Sequence, residues 1–238
     1  MDENTPSPGS LRHRLSADPL PWALWLLLRR MASKLKSGWL ARVFHAPNLY
    51  LGPGCIIQGS RFIHFGSNLY AQGNLWVHAV STWDHQQFHP FVSFGNHVSF
   101  SERVHITSIE RIEIGNYVLV GSGVYIGDHH HGSYSGEHQS DPDIPPIHRP
   151  LAGGGPVLIE DEVWIGDNSV IIGPVSIGRG AIIGANSVVR RDIPERTIVA
   201  GAPARPIKRF NPATSQWERI DAGIDAPLSA EQFKDLRA

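Results

Sequence analysis

Histidine is the residue type whose clustering in this sequence could support chemistry. The chain has 238 residues and 13 histidines, and three of them are consecutive, from His129 to His131. Neutral imidazole accepts a proton near neutral pH, which makes it a common general base for activating a hydroxyl group. More histidines, several prolines and the triplet Gly153–Gly155 follow in the same segment. This composition predicts a functional loop over residues 127–156.

The sequence gives less support to disulfide, zinc or serine-nucleophile chemistry and to nucleic-acid binding. Cys55 is the only cysteine, which excludes internal disulfides and a cysteine-rich zinc site and fits a reducing compartment. No G-x-S-x-G motif marks a serine nucleophile. The formal net charge is −1, so no overall positive field favours nucleic acid. We expect neither a metal nor a nucleic-acid partner.

A repeat of six residues predicts the elements that position this loop. Stepping by six meets a β-branched aliphatic side chain each time, at Ile159, Ile165, Ile171, Ile177, Ile183 and Val189. A helix repeats near 3.6 residues and a strand near 2, so neither produces this period. Short strands joined by tight turns do produce it, with three hexads to a coil and like residues stacked on like. The sequence therefore predicts an all-β parallel solenoid.

Two further features support this interpretation. The same spacing recurs in earlier blocks, at Ile114, Val120 and Ile126, at Val92, Val98 and Val104, and at Leu51, Ile57, Ile63, Leu69 and Leu75. Glycine follows many of these aliphatic residues, and we expect it to supply turn conformations that other residues resist. The repeat breaks at the histidine segment and, more briefly, over residues 76–90. We place the solenoid domain at residues 51–204.

The two ends differ from the repeat. Residues 1–17 are polar and predicted to be disordered, and residues 18–50 are predicted to form one or two helices. A cap on the first coil is one interpretation of this helical segment. The alternative is an interfacial segment, with residues 20–46 in peripheral contact with the inner membrane. The C-terminal extension, residues 205–238, is predicted to include a short helix over 229–236. We expect a cytoplasmic protein.

Four segments resemble the hexapeptide-repeat acetyltransferases, a family that includes galactoside and maltose acetyltransferases. They are VWIGDN, IGANSVV, DIP and AGAPA, at residues 163–168, 183–189, 192–194 and 200–204. The segment DHHHGSYSG at 128–136, followed by DPDIPP at 141–146, is similar to the branch that O-acetylates lipopolysaccharide, colanic acid and exopolysaccharides. The resemblance covers roughly residues 50–210.

The resemblance implies a left-handed β-helix that forms a homotrimer, with active sites in the clefts between neighbouring subunits. It implies acetyl-CoA as the donor and a sugar hydroxyl as the acceptor, on a cell-surface polysaccharide or a lipid-linked saccharide. Transfer would be direct, with a histidine as general base.

The resemblance also implies site residues. An alignment without gaps through Ile126 places the catalytic histidine on His131, and His129 is the rival because an Asp-His pair recurs in this branch. His130 would point the other way on an extended segment. Galactoside-type relatives carry a functional asparagine one coil earlier, which this chain lacks. The substrate-binding candidates are Ser101, His105, Asp128 and Tyr134.

Acetyl-CoA is expected along the C-terminal coils. Its pantetheine arm would pair with backbone near Gly166, Gly184 and Ala185. Trp164 would pack against that arm or against a neighbouring subunit. The phosphates would meet the basic residues Arg190, Arg191, Arg205 and Lys208, since the guanidinium fork suits phosphate.

Two other functions stay open at this point. A zinc enzyme resembling gamma-type carbonic anhydrases would use the same kind of trimer, but adjacent histidines on a strand alternate sides and do not converge on one metal. A non-catalytic β-helix scaffold would not need the histidine loop or the basic C-terminal group.

Overall fold

The structure, a computed structural model, describes residues 18–220. The predictions of disorder for residues 1–17 and of a helix at 229–236 lie outside the described residues. Within residues 18–220 there is one α-helix, α1 (Leu20–Val43), and short 3-10 turns lie at Ser60–Phe62 and Pro146–His148. No helix in this part of the chain has the length and apolar character needed to span a bilayer.

Short strands make up most of the described chain. The strands before the histidine segment are β1 (Tyr50–Leu51), β2 (Ile56–Gln58), β3 (Ile63–Phe65), β4 (Tyr70–Gly73), β5 (Trp76–Ala79), β6 (Thr82–Trp83), β7 (Gln86–Gln87), β8 (Phe91–Phe94), β9 (Ser99–Glu102), β10 (His105–Ser108), β11 (Arg111–Ile114), β12 (Leu119–Val120) and β13 (Tyr125–Gly127). The later strands are β14 (His129–His131), β15 (Leu151–Gly153), β16 (Val157–Ile159), β17 (Trp164–Ile165), β18 (Val170–Ile172), β19 (Val175–Ile177), β20 (Ile182–Ile183), β21 (Val188–Val189), β22 (Thr197–Ala200), β23 (Arg205–Asn211) and β24 (Gln216–Arg219).

Three sheets form the faces of a solenoid. The first sheet has the order β1-β4-β9-β12-β17-β20-β22-β23-β24, the second β2-β5-β10-β13-β18-β21 and the third β3-β8-β11-β16-β19. Pairing is parallel throughout, apart from the antiparallel β22-β23-β24 edge. Trp164 pairs with Ile182, 18 residues later, which is three hexads. The parallel sheets and the period of six fit the predicted β-helix.

The repeated aliphatic side chains fill the interior. The six from Ile159 to Val189 are all buried, and those of the block from Ile114 to Ile126 are buried as well. Ile57, in the first coil, is only partly covered by the core. The prediction that one aliphatic side chain from each hexad points inward is therefore confirmed for the later coils.

The glycines that follow these residues have a different role from the one predicted. Gly115, Gly166 and Gly178 do not have positive φ angles. A Cβ atom on Gly115 would instead lie 2.8 Å from the backbone nitrogen of Asp161 in the next coil, which is too close for any side chain. The left-handed conformations occur two residues later, at Tyr117, Asn168, Gly180 and Asn186. The glycines therefore permit close stacking of coils rather than the turns themselves.

The chain departs from the repeat at both ends of the solenoid. Leu40 and Ala41 of α1, and Phe44 just after it, pack against the core. The Ser37 hydroxyl donates to the carbonyl of Leu51 on the edge strand β1 (3.2 Å) and accepts from its N–H (2.8 Å). At the other end, β23 and β24 extend the first sheet as a hairpin, so the chain beyond residue 204 leaves the repeat but stays in the sheet.

Ile183→Ala should destabilise the fold by about 2–5 kcal/mol, because it leaves a cavity in an interior that stacked coils cannot close. Chemical unfolding followed by circular dichroism would measure the change. Its neighbour Ile182 is half-buried and provides the matched control: Ile182→Ala should cost less than half as much. Equal losses for the two variants would contradict the inward assignment.

Candidate active site

The chain leaves the second sheet immediately after Gly127 and rejoins the solenoid in the third sheet at Val157. Between these points β14 and β15 pair as antiparallel strands, with His129 opposite Gly153 and His131 opposite Leu151. We call residues 128–156 the histidine arm. Because Leu119 and Trp164 still pair directly across this excursion, the arm projects without disturbing the stack.

Asp128, the first residue of the arm, is completely buried. Its Oδ1 accepts a hydrogen bond from the backbone N–H of Ile109 (2.9 Å), and its Oδ2 accepts from those of Glu110 and Arg111 (2.9 Å each). The Ser108 hydroxyl also donates to Oδ2. The carboxylate is thus held by the segment that joins β10 to β11, one coil earlier.

These contacts determine the charge of Asp128. Burial by itself raises the pKa of the carboxyl, but the hydrogen bonds from His129, Ser108 and the backbone outweigh it, and the net pKa lies below the ordinary value. Asp128 is therefore an anion at neutral pH and can only accept hydrogen bonds.

His129 completes this network. Its Nδ1 lies 2.9 Å from Oδ1 of Asp128, and only 10% of its side chain is exposed. Because the carboxylate is an acceptor, Nδ1 carries the proton, and in the neutral ring Nε2 keeps a free lone pair. This arrangement can accept a proton at Nε2 and stabilise the resulting imidazolium.

The other two histidines of the cluster lie on the surface. His131 is exposed, and the edge of its ring contacts Trp83, with 5.0 Å between ring centroids. His130 stacks on Tyr134 at 5.9 Å. No carboxylate in the described chain forms an ion pair with either of them.

A second excursion supports the arm. The hairpin of β6 and β7, which we call the clip, pairs Gln86 with Leu151 of β15: the Gln86 amide donates to the Leu151 carbonyl (3.0 Å) and accepts from its N–H (2.7 Å). Trp83 packs beside Leu151 in a small apolar cluster. The break in the repeat over residues 76–90 was the sequence signal for this hairpin, although its contact with the arm could not be seen there.

An aromatic and histidine wall faces outward on the second sheet beside His129. Trp76 and His105 are paired in register and stack at 4.2 Å. His105 Nε2 is buried and has no hydrogen-bond partner in the described chain. Burial lowers the pKa of His105, and the neighbouring His78 and His129 lower it further. The pKa of His78 is lowered in the same way. Sequence analysis identified His105 but not Trp76 or His78, which lie two residues apart on β5.

The remaining substrate-binding candidates are placed differently. Asp128, which the family resemblance placed among the substrate-binding residues, is buried, its oxygens accept hydrogen bonds from protein donors, and it holds His129. Ser101 lies on β9 of the first sheet, across the turn at Arg103 from His105. Tyr134 is exposed, and its hydroxyl donates to the His131 carbonyl and accepts from Arg149 (2.9 Å).

The predicted donor-site residues fall into two groups. Arg190, Arg191 and Arg205 line one cleft of about 370 Å³ near the C-terminal coils. Lys208 lies further along β23, opposite Ile198, and does not line this cleft. In the second group, Gly166 lies against Ala185 of the next coil, as its close approach to the Ala185 backbone shows, and Gly184 is adjacent. Trp164 faces outward from the first sheet and is half exposed.

Comparison with known proteins agrees with these features. The family model "Bacterial transferase hexapeptide (six repeats)" matches residues 156–191. The chain is 38% identical over 181 residues to WbbJ of Escherichia coli (strain K12), which is named as an O-acetyl transferase of lipopolysaccharide biosynthesis; the match covers 76% of this chain and 88% of WbbJ. A Mycobacterium tuberculosis protein named as an acetyltransferase is 30% identical over 163 residues, covering 66% of this chain and 52% of that one.

The fold has relatives among solved structures. It is similar to a mutant of AntD, an N-acyltransferase from Bacillus cereus, solved with dTDP-4-amino-4,6-dideoxyglucose and coenzyme A. The TM-score is 0.56 at 20% identity, covering 74% of this chain and 90% of AntD. The family model and the Escherichia coli relative together identify an acyltransferase of the hexapeptide class. The chain belongs to the hexapeptide-repeat acetyltransferase family, which confirms the family and enzyme class predicted from its motifs.

Asp128→Asn should lower the free energy of unfolding at pH 7 by about 2–4 kcal/mol, because the amide cannot accept every bond that the carboxylate accepts. Since folding lowers the pKa of Asp128, its charge stabilises the protein above the unfolded pKa of about 3.9, and that contribution is lost as pH falls through the folded pKa. Urea unfolding at several pH values would show the gap between wild type and variant narrowing in acid.

The exposed Asp143 in the same arm is the control for this experiment. Asp143→Asn should leave the free energy of unfolding within about 0.5 kcal/mol of wild type at every pH. A gap for Asp128→Asn that stays constant down to acid pH would show that its charge is not what stabilises the arm.

Proposed function

We propose that the protein transfers an acetyl group from acetyl-CoA to a sugar hydroxyl of a cell-surface polysaccharide or lipid-linked saccharide. The observation that carries the chemistry is the buried Asp128–His129 pair with its free Nε2. The O-acetyl transferase name of the Escherichia coli relative supports the choice of acceptor. In this reaction the acceptor hydroxyl donates its proton to Nε2 while its oxygen attacks the thioester carbonyl. Collapse of the tetrahedral adduct expels the CoA thiolate, which recovers the proton from the imidazolium.

His129 is the proposed base in preference to His131, which the gapless alignment ranked first. One contact supports this choice in two ways: the hydrogen bond from Nδ1 to Asp128 fixes the tautomer of the neutral His129 ring, and the Asp128 anion stabilises the ring once it is protonated. His131 lacks such a partner, and its ring contacts Trp83 of the clip. We assign His131 to the wall of the acceptor site and His130, stacked on Tyr134, to the surface of the arm.

The wall formed by Trp76, His78 and His105 is the proposed binding surface for the acceptor. An indole face offers apolar area to a sugar ring. The ring of His105 stacks on the indole of Trp76 and supports it, and its lowered pKa keeps the imidazole neutral. Tyr134 and Ser101 remain candidates at the margins of this surface.

The donor is proposed to lie along the C-terminal coils, with the nucleotide phosphates near the cleft lined by Arg190, Arg191 and Arg205. The proposal includes a homotrimer, as the family resemblance implies. Exposed apolar side chains in register on the first sheet, Leu119 and Trp164, support packing of that face against pantetheine or a neighbouring subunit. Within the described residues of a single chain, no three His, Cys, Asp or Glu side chains are grouped to hold a metal ion.

His129→Ala should lower kcat on the order of a hundred- to ten-thousand-fold, because the acceptor hydroxyl loses its general base. The measurement is CoA release when acetyl-CoA is supplied with cell-surface glycan intermediates. Binding of acetyl-CoA, followed by calorimetry, should be unchanged, since the base does not contact the phosphates.

The neighbouring histidines are the controls. His131→Ala should retain kcat within about tenfold, and His130→Ala within about twofold. An inactive His131→Ala with an active His129→Ala would reverse the assignment and restore the gapless alignment. If His129→Ala and His131→Ala were both active, neither histidine would be the general base.

Arg191→Ala and Arg205→Ala should each raise the KM for acetyl-CoA about tenfold and leave kcat nearly unchanged, because phosphate contacts far from the carbonyl contribute uniform binding. Steady-state kinetics at saturating acceptor would measure both constants. Arg179 pairs with Glu162 on the surface outside the cleft, so Arg179→Ala should change neither. An unchanged KM in the double variant would place the phosphate site elsewhere.

A further inference from the structure

The helix α1 has its large apolar side chains on the wrong face for a simple cap. Its three buried residues are small, Ala23, Ser33 and Ser37, and the large apolar side chains that contact the core, Leu40 and Phe44, lie only at and just beyond its C-terminal end. The opposite face carries an outward stripe of large apolar side chains, four or seven residues apart, and each is between 46% and 77% exposed: Leu24, Leu28, Leu35 and Trp39. A cap alone would require the reverse arrangement.

Contact with the solenoid also does not account for the N-terminal half of α1. The hydrogen bonds that hold the helix come from Lys36 and Ser37, near its C-terminal end. Between the earlier turns and the first sheet lies a cavity of about 650 Å³, lined by Leu26, Leu27 and Met31 of the helix and by Tyr50 and Tyr70 of the sheet. The first half of the helix therefore stands away from the core.

The charges of α1 indicate what covers the stripe. Five cations, Arg29, Arg30, Lys34, Lys36 and Arg42, lie along the helix, which contains no Asp or Glu. The guanidinium of Arg29 lies 5.1 Å above the ring of Trp25, which stacks on Trp22. Pairing this helix with the same helix of a second copy would bring two sets of cations together without a compensating anion. An anionic surface would meet both the apolar stripe and the cations.

We infer that α1 is an interfacial helix that lies flat on an anionic phospholipid bilayer and inserts the outward stripe between the lipid headgroups. At 1.5 Å per residue its 24 residues extend about 36 Å along the surface. Lys34 at one flank of the stripe and Arg42 in the last turn reach the phosphates, whereas Lys36 stays bonded to the Gly52 carbonyl of the solenoid. Trp39 of the stripe lies at the boundary between headgroups and acyl chains. This inference concerns where the enzyme works and does not depend on the proposed reaction.

Vesicle flotation with the full-length protein tests the inference, without acetyl-CoA or acceptor. Wild type should float with vesicles of phosphatidylcholine and phosphatidylglycerol, bind pure phosphatidylcholine far more weakly, and be released as salt is raised. Leu28→Gln combined with Leu35→Gln should weaken binding to the anionic vesicles about a hundredfold, because two inserted side chains are lost. The matched control is Ile56→Gln with Ile207→Gln, two exposed apolar residues outside α1, which should bind like wild type.

A second measurement requires no variant. Lipids brominated on their acyl chains should quench the tryptophan emission of bound wild-type protein. The inference would be wrong if the wild-type protein did not bind anionic vesicles. It would also be wrong if the double leucine variant bound them as tightly as wild type. Loss of oligomeric mass in the leucine variant, measured by light scattering, together with no vesicle binding by wild type, would show that the stripe packs against another copy.

Discussion

The close stacking of each coil on the next is the constraint on which the rest of the molecule depends. Backbone hydrogen bonds between coils require successive strands to approach within about 4.8 Å at every position, including the corners. At Gly115 a single added carbon would collide with the backbone of Asp161, and Gly166 meets Ala185 in the same way. A side chain can therefore leave the stack only inward, into the core, or outward, toward solvent or a ligand.

The active-site geometry follows from this constraint. A segment that leaves the stack, as at Gly127, exposes the unpaired N–H groups of the neighbouring coil. Asp128 occupies that position and accepts the N–H groups of Ile109, Glu110 and Arg111 at the corner between β10 and β11. The carboxylate thereby satisfies the backbone of this corner, and its hydrogen bond with His129 orients the imidazole. The residue that satisfies this corner also orients the proposed base.

The sequence predicted the solenoid well because a six-residue period is unusual and recurs along most of the chain. The inward aliphatic residues, the position of the arm and the family could all be read from residues 114–204. The sequence could not show that the glycines serve close approach, because φ angles and intercoil distances are tertiary properties. Nor could it rank His129 against His131: both precede the same loop, and only the burial of Asp128 distinguishes their surroundings. The wall of Trp76 and His105 was equally hidden, since 29 residues separate two side chains that stack.

The hydrogen bonds of Ser37 have a consequence for assembly. A parallel β-solenoid ends in an edge strand whose free N–H and C=O groups are a template for another chain, and repeated addition at such edges builds filaments. Here one hydroxyl satisfies both the N–H and the carbonyl of Leu51, and the hairpin of β23 and β24 ends the opposite edge with antiparallel strands. In the first sheet, the described residues therefore offer neither a free Leu51 backbone group at one edge nor a parallel strand at the other for the next coil of another molecule.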